Sequence, residues 1–268
     1  SSAASDVYKR QILILQIGYE VMKEMGGNVL IVDTEGSEQL YEAWVDVFNR
    51  RYGIEGQFIY CEYNRNKMKI VEGNKAIRQY KVYCIDVRDI ESILSLFGRG
   101  CEIDISKGGK MTLKAIEKEW LGDLFKTPIG KFIKEREVCY LSIDSITNPL
   151  NIFGSSTENF PARSNASNLL MLQVQKLAER LKLVVTLTFH ETFNPSNQFG
   201  KPKPKGGRGI THNTKYVIYI SQERTSRTPP TKKRPETVRE VWLARHVCKK
   251  PWDDYIEIDL TNNGYVPY

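Results

Sequence analysis

Apolar positions along the chain fall into two kinds of pattern. In residues 12–25, Ile12, Leu15, Ile17, Val21, Met22 and Met25 recur at helical spacing, and Gly26-Gly27 stops the run. Residues 28–33 (NVLIVD), 137–144 (EVCYLSID) and 182–189 (KLVVTLTF) are short runs rich in consecutive apolar positions. A strand reads that way when both of its faces are covered, as in a parallel sheet. Residues 37–52, 90–97, 115–124, 129–136 and 161–181 read as helices, the last with Leu169, Leu172, Leu177 and Leu181 among its apolar positions. Residues 57–63 and 81–86 have β-rich composition, and 64–79 between them is polar and basic. Residues 101–106 alternate into Gly108-Gly109, which predicts a hairpin with 110–113. Further on, 215–221, 240–247 and 255–260 read as strands without helices between them. The pattern predicts an α/β fold: a mostly parallel central sheet, helices on both faces, and antiparallel C-terminal strands. No repeat or linker splits the chain.

Composition narrows the function classes. With 268 residues, 41% hydrophobic and 26% charged, the chain is neither wholly disordered nor collagen-like. No apolar run approaches the ~20 residues that span a bilayer, so no membrane partner is expected. The five cysteines include no C-x-x-C pair and the three histidines are widely spread, which argues against a zinc site and a disulfide framework. Each cysteine reads best as a small buried hydrophobe. No secretory signal pattern is visible, and a reducing, cytoplasmic location is the expectation.

Charge is unevenly distributed. Residues 201–250 hold 14 Lys and Arg against 3 Asp and Glu, while the whole chain carries +7, so the remainder is mildly acidic. A basic segment on an acidic body points to a polyanion, with nucleic acid first. A solvated lysine-rich surface accounts for the charge equally well. Residues 191–209 have no periodicity and contain Lys201, Lys203, Lys205 and Arg208, with Pro202 and Pro204 interleaved and Gly206-Gly207 following. Prolines keep such a segment extended, and its cations would bind phosphates without regard to sequence. Phe193 and Phe199 could stack on bases. Arg224, Arg227, Lys232, Lys233 and Arg234 form a second cluster that reads as a surface loop.

The start of the chain stands apart. Residues 1–11 (SSAASDVYKRQ) carry no cap signal, and SDVYKRQ resembles translated sequencing-adapter remnants. Residues 1–11 are therefore expected to be a non-native remnant and 12–268 the core.

Candidate chemistry gathers at strand ends, where open α/β sheets bind ligands. Three apolar runs finish in Asp33-Thr34-Glu35, Asp144-Ser145 and Thr188-Phe189-His190. An apolar run ending in Asp144 and followed by Ser145 has the form of a Walker B element, whose aspartate organises Mg²⁺. Glu35 could polarise a water for attack on a γ-phosphate, and His190 could hydrogen-bond a phosphate or relay its presence to the segment that follows. Any one strand-end acid is more simply a cap. The phosphate-cradling G-x-x-x-x-G-K-[ST] loop occurs nowhere. The nearest stretch, Ser106-Lys107-Gly108-Gly109-Lys110, lacks the earlier glycine and is followed by Met111. If 12–25 is the helix that follows such a loop, the loop belongs where 1–11 stands.

The order of these features resembles the ATPase core of the RecA family, specifically archaeal RadA-like recombinases and their paralogs. The resemblance rests on VDTEG at 32–36, YLSIDSIT at 140–147, NFPARSNASNLLMLQ at 159–173, VVTLTFHE at 184–191, GGRGITHNTKYVIYI at 206–220 and KKPWDDYIEIDLTNNGY at 249–265. It implies a RecA-like P-loop NTPase core that lacks its P-loop and uses ATP and Mg²⁺. It implies catalytic roles for Glu35, which activates water, and His190, which stands where the family has a γ-phosphate-sensing glutamine. Thr34, Asp144, Ser145 and Pro251 fall at cofactor-binding positions, with Asp144 also the metal position. Residues 148–160 and Arg163 match the first DNA-binding region, and the segment with Lys201, Lys203, Lys205 and Arg208 the second. Residues 249–253 lie where the family caps ATP of a neighbouring subunit. The implied function of the intact protein is ATP hydrolysis on single-stranded DNA in recombination or repair, within a homo-oligomer or filament or beside a partner recombinase, and these 268 residues without the loop are expected to bind ATP poorly. A non-catalytic mediator and a KaiC-like signalling ATPase are the alternatives. Three features depart from the family. Residues 37–42 lack the arginine that stacks on adenine, Phe189-His190 replaces Asn-Gln, and 63–79 and 98–113 look like additions.

Overall fold

The computed structural model describes residues 2–192, 203–204, 214–221, 237–246, 248 and 255–268. The chain opens with α1 (Ser2–Met25), β1 (Asn28–Asp33), α2 (Glu38–Tyr52), β2 (Gly56–Asn64), β3 (Lys69–Glu72) and β4 (Tyr80–Asp86). It continues through α3 (Ile90–Leu96), β5 (Arg99–Ile105), β6 (Met111–Trp120), α4 (Pro128–Glu135), β7 (Val138–Asp144), α5 (Thr147–Leu150), α6 (Phe160–Leu181) and β8 (Val184–Leu187). Then come β9 (Glu191–Thr192), β10 (Lys203–Pro204), β11 (Tyr216–Ser221), β12 (Val238–His246), β13 (Ile256–Thr261) and β14 (Gly264–Pro267).

The central sheet has the order β3-β2-β4-β1-β7-β8, and every pairing is parallel except β2 with β3. β1 is buried at all six positions, as its continuous apolar run requires. Val29 and Ile31 face a cluster built with α1 and α2, and Leu30 and Val32 face one built with α3, α4 and α6. Helices therefore cover both faces, and the expected α/β architecture is present. A separate antiparallel sheet, β11-β12-β13-β14, supplies the C-terminal strands. It is tied to α1, because the Tyr265 amide donates to Gln16 Oε1 at 2.7 Å and Gln16 Nε2 donates to the Tyr265 carbonyl at 3.0 Å.

Three local expectations change. Residues 115–124 do not form a helix: β6 runs to Trp120 and pairs antiparallel with β5. Helix propensity in Ala-Ile-Glu-Lys-Glu yields to tertiary contacts, since Leu113 packs on the core and buried Glu119 accepts from Arg65 Nε at 3.2 Å. Strand β3 lies inside the polar stretch 64–79, held by Ile70 at the core. The first helix does not begin at Ile12 but continues back to Ser2, so residues 2–11, expected to stand outside the fold, extend α1. Gln11 is buried there, and Tyr265 Oη donates to the Lys9 carbonyl at 3.3 Å. Of the cysteines, Cys61, Cys84, Cys101 and Cys139 are buried as expected, whereas Cys248 is exposed.

The α1–β1 connection is tight. Gly27 has φ +90, and a Cβ there would sit 2.6 Å from the Glu137 carbonyl oxygen. Gly27→Ala should lower the unfolding free energy by about 2 kcal/mol, measured by urea denaturation. An unchanged midpoint would show that this junction relaxes without cost.

Candidate functional site

The strands β1 and β7 are neighbours, but the chain leaves them toward opposite faces. α2 follows β1 onto the α1 side, and α6 follows β7 onto the α3–α4 side. Open parallel sheets bind ligands at the C-terminal ends of strands that part in this way. Asp33-Thr34-Glu35 and Asp144-Ser145 both end there. Backbone and hydroxyl bonds lock the two strand ends together. The Thr34 amide donates to the Asp144 carbonyl at 2.8 Å, Thr34 Oγ1 donates to the Ser145 carbonyl at 2.8 Å, and the Ser145 amide donates to Thr34 Oγ1 at 2.9 Å. Asn148 Nδ2 donates to the Thr34 carbonyl. The Asp144–Ser145 peptide is cis.

Asp33 shapes the loop that presents Glu35. Its Oδ1 accepts from the amides of Glu35 (2.9 Å) and Gly36 (3.2 Å), and its Oδ2 accepts from the amide of Ser37. Gly36 has φ +75, and its missing Cβ leaves room for the Arg88 guanidinium, which is held by two bonds to Asp86 at 2.9 and 3.0 Å. Burial pushes the Asp33 carboxyl up to about 6, against the pull of its backbone donors, and the neighbouring Asp144 adds to the rise.

Glu35 is anchored at one oxygen. Its Oε1 accepts from Ser145 Oγ at 2.7 Å and from His190 Nε2 at 2.9 Å. Among the described residues, the Arg10 guanidinium lies 4.0 Å from its Oε2. Burial opposes its ionisation, but the His190 and Ser145 hydrogen bonds and the positive charge of Arg10 outweigh it and hold the carboxyl below its ordinary value. Glu35 is thus ionised at neutral pH, with Oε2 facing a cation but open to accept a proton. For His190 to donate to Glu35 its Nε2 must carry the proton. That nitrogen then cannot accept from Arg10 Nη2, which lies 3.2 Å away. The His190 amide is fixed by Thr147 Oγ1 at 2.9 Å.

Asp144 is fully buried and held from both sides. Tyr41 Oη donates to Oδ2 at 2.8 Å, and Thr188 Oγ1 donates to Oδ1. Burial raises its pKa, opposed by these two hydroxyls. The residues do not by themselves fit ATP·Mg²⁺. Both Asp144 oxygens already take a hydroxyl proton, both Asp33 oxygens take backbone amides, and no group of three His, Cys, Asp or Glu among the described residues is arranged for a metal. α1 runs on through Arg10, so no helix N-terminus opens onto the site at Ile12.

The structure thus brings together Glu35, His190, Thr34, Asp144 and Ser145. Arg163 stands apart, near the start of α6, with Nε and Nη2 buried and without hydrogen-bond partners among the described residues. The backbone of Lys203 pairs with Thr192, two residues beyond His190, in the small β9–β10 ribbon. Lys201, Lys205, Arg208 and Pro251 lie outside the described residues, as do Phe193, Phe199 and the 224–234 cluster. Ser106–Lys110 forms a hairpin turn, with the Ser106 amide on the Lys110 carbonyl at 3.0 Å. Sequence reasoning missed Tyr41, Asn148 and Arg10. Tyr41 and Asn148 reach the site only through tertiary contact, and Arg10 lay in a stretch set aside. No known protein family and no curated protein matches this chain. No helix among the described residues is long and apolar enough to cross a membrane.

The buried acids predict a pH dependence. An aspartate that ionises less readily in the folded chain holds its proton more tightly there. Asp33 therefore favours folding below about pH 4 and loses that contribution as pH rises through about 6, by at most about 3 kcal/mol. Asp144 shifts in the same direction. Urea denaturation across this interval should show stability falling with rising pH. A rise instead would mean that the two acids are not the dominant titrating groups.

Proposed function

We propose that this chain carries the core of a RecA-like ATPase of the RadA-like kind, without the phosphate-cradling loop that an ATP-binding form would need, acting on single-stranded DNA in recombination or repair. The observation that carries the reading is the setting of Glu35: ionised, anchored through Oε1 and facing Arg10 with Oε2, at a strand end beside a Walker B-type aspartate. A carboxylate placed this way can take a proton from an attacking water. His190 supports the second half of the reading. It touches Glu35 with its ring, and the chain leaves it directly into β9, whose partner β10 contains Lys203. A change at Glu35 therefore has a short covalent route into the basic segment, and assembly of several copies along one strand would follow from that coupling.

A second reading, a recombination mediator that binds DNA with little turnover, is favoured by one observation. Among the described residues no backbone loop cradles a phosphate at the site, and the Arg10 side chain faces Glu35.

Two measurements test the proposal. The chain should bind a labelled single-stranded oligonucleotide at low salt, and replacing Lys201, Lys203, Lys205 and Arg208 with alanine should flatten the log–log salt slope by about 3. An unchanged slope would remove this segment from DNA binding. Any ATP turnover should fall at least about 100-fold in Glu35→Gln. Background turnover in the parent chain, with DNA binding intact, would select the mediator.

A further inference from the structure

Glu35 and Gly36 stand between two anchored residues. Before them, Thr34 is bonded through its amide, hydroxyl and carbonyl to the end of β7 and the segment after it. After them, the Ser37 carbonyl accepts the amides of Leu40 and Tyr41 at 2.9 and 3.2 Å, and Ser37 Oγ accepts from Gln11 Nε2. Glu35 and Gly36 themselves are held from inside by Asp33 Oδ1, which takes both of their amides. From outside, Gly36 meets Arg88. A Cβ on Gly36 would lie 2.7, 2.9 and 3.2 Å from Arg88 Nη2, Cζ and Nη1. Because Cζ is nearer than Nη1, the guanidinium presents its face to the glycine and not its edge.

Arg88 is placed there by its own strand. β4 pairs with β1 in a register that sets Asp86 opposite Asp33, and the Val87 amide donates to the Asp33 carbonyl at 2.9 Å. Arg88 then turns back, and its Nε and Nη2 donate to the two Asp86 oxygens at 2.9 and 3.0 Å. A guanidinium held by such a fork has a fixed plane. Glu38, whose Oε2 is buried without a hydrogen-bond partner among the described residues, adds its negative charge on Arg88. Gly36 has φ +75, and without a side chain its backbone swings easily. A flat group over it removes that freedom. The Arg88 side chain is 60% exposed, so its ion pair adds little to folding, and restraint of the loop is separable from stability.

We propose that Arg88 is a positioning residue for Glu35: aligned by Asp86, its guanidinium lies on Gly36 and keeps Glu35 turned toward Ser145 and His190. The catalytic meaning of that restraint rests on the reading of Glu35 as a base given above.

The test follows the Glu35 carboxyl carbon by NMR across pH in the full chain. In the parent, burial opposes ionisation, but the His190 and Ser145 bonds and the charges of His190 and Arg10 hold the midpoint below the ordinary glutamate value. Arg88→Ala should move that midpoint up toward the ordinary value and speed hydrogen exchange at the Glu35 and Gly36 amides by about tenfold, with the thermal midpoint nearly unchanged. Arg88→Lys keeps the charge without the plane and should behave like Arg88→Ala. Asp86→Asn, which loosens the fork, should shift Glu35 in the same direction. A midpoint that stays low in Arg88→Ala, or that Arg88→Lys restores fully, would overturn the proposal and leave the ATPase reading untouched. A parent Glu35 that titrates at or above the ordinary value would overturn the setting on which that reading rests, and this proposal with it.

Discussion

The pairing of β1 with β7 is the constraint on which the site depends. Both strands are buried on both faces, so each needs helices above and below the sheet. Because they are neighbours whose following helices lie on opposite faces, the chain must part at their C-terminal ends. The acids at those ends are brought together by the sheet register, Asp33 opposite Asp144, and not by any affinity for each other. Burial raises both pKa values, Asp144 adds to the rise of Asp33 and Glu35 to that of Asp144, and the surrounding backbone amides and hydroxyls reduce the cost.

The acids at these strand ends differ because they have different donors. Asp33 takes backbone amides and builds a turn. Asp144 takes two hydroxyls and is sealed from solvent. Glu35 takes both of its donors on one oxygen and turns the other toward Arg10. Side chains of one chemical type thus take three different settings by the geometry of their partners.

The connection from Glu35 through His190 to β9 gives the proposed activity a mechanical meaning. His190 is held at its amide by Thr147 and at its ring by Glu35. Breaking the ring contact would free the start of the basic segment from the base.

The buried strands β1 and β7, most of the helices and the strand-end positions of Thr34, Glu35, Asp144, Ser145 and His190 were legible in the sequence, whereas β8, which reads as a third buried strand, is exposed at Val184 and half-buried at its other three positions. Continuous apolar runs bounded by glycine and acid read the same way in any parallel sheet. The sequence could not reveal that 115–120 is a strand, because local propensity there favours helix and only the partner strand β5 decides otherwise. Nor could it reveal Tyr41 and Asn148 as partners of the site, or Asn159 as the anchor of the hairpin, since each acts across more than 40 residues of chain. Arg10 was hidden for another reason: a stretch that reads as foreign to the fold still continues the same helix. Periodicity reports what each segment buries. Which buried segments become neighbours, and hence which polar atoms meet at their ends, is settled only when the sheet closes its register.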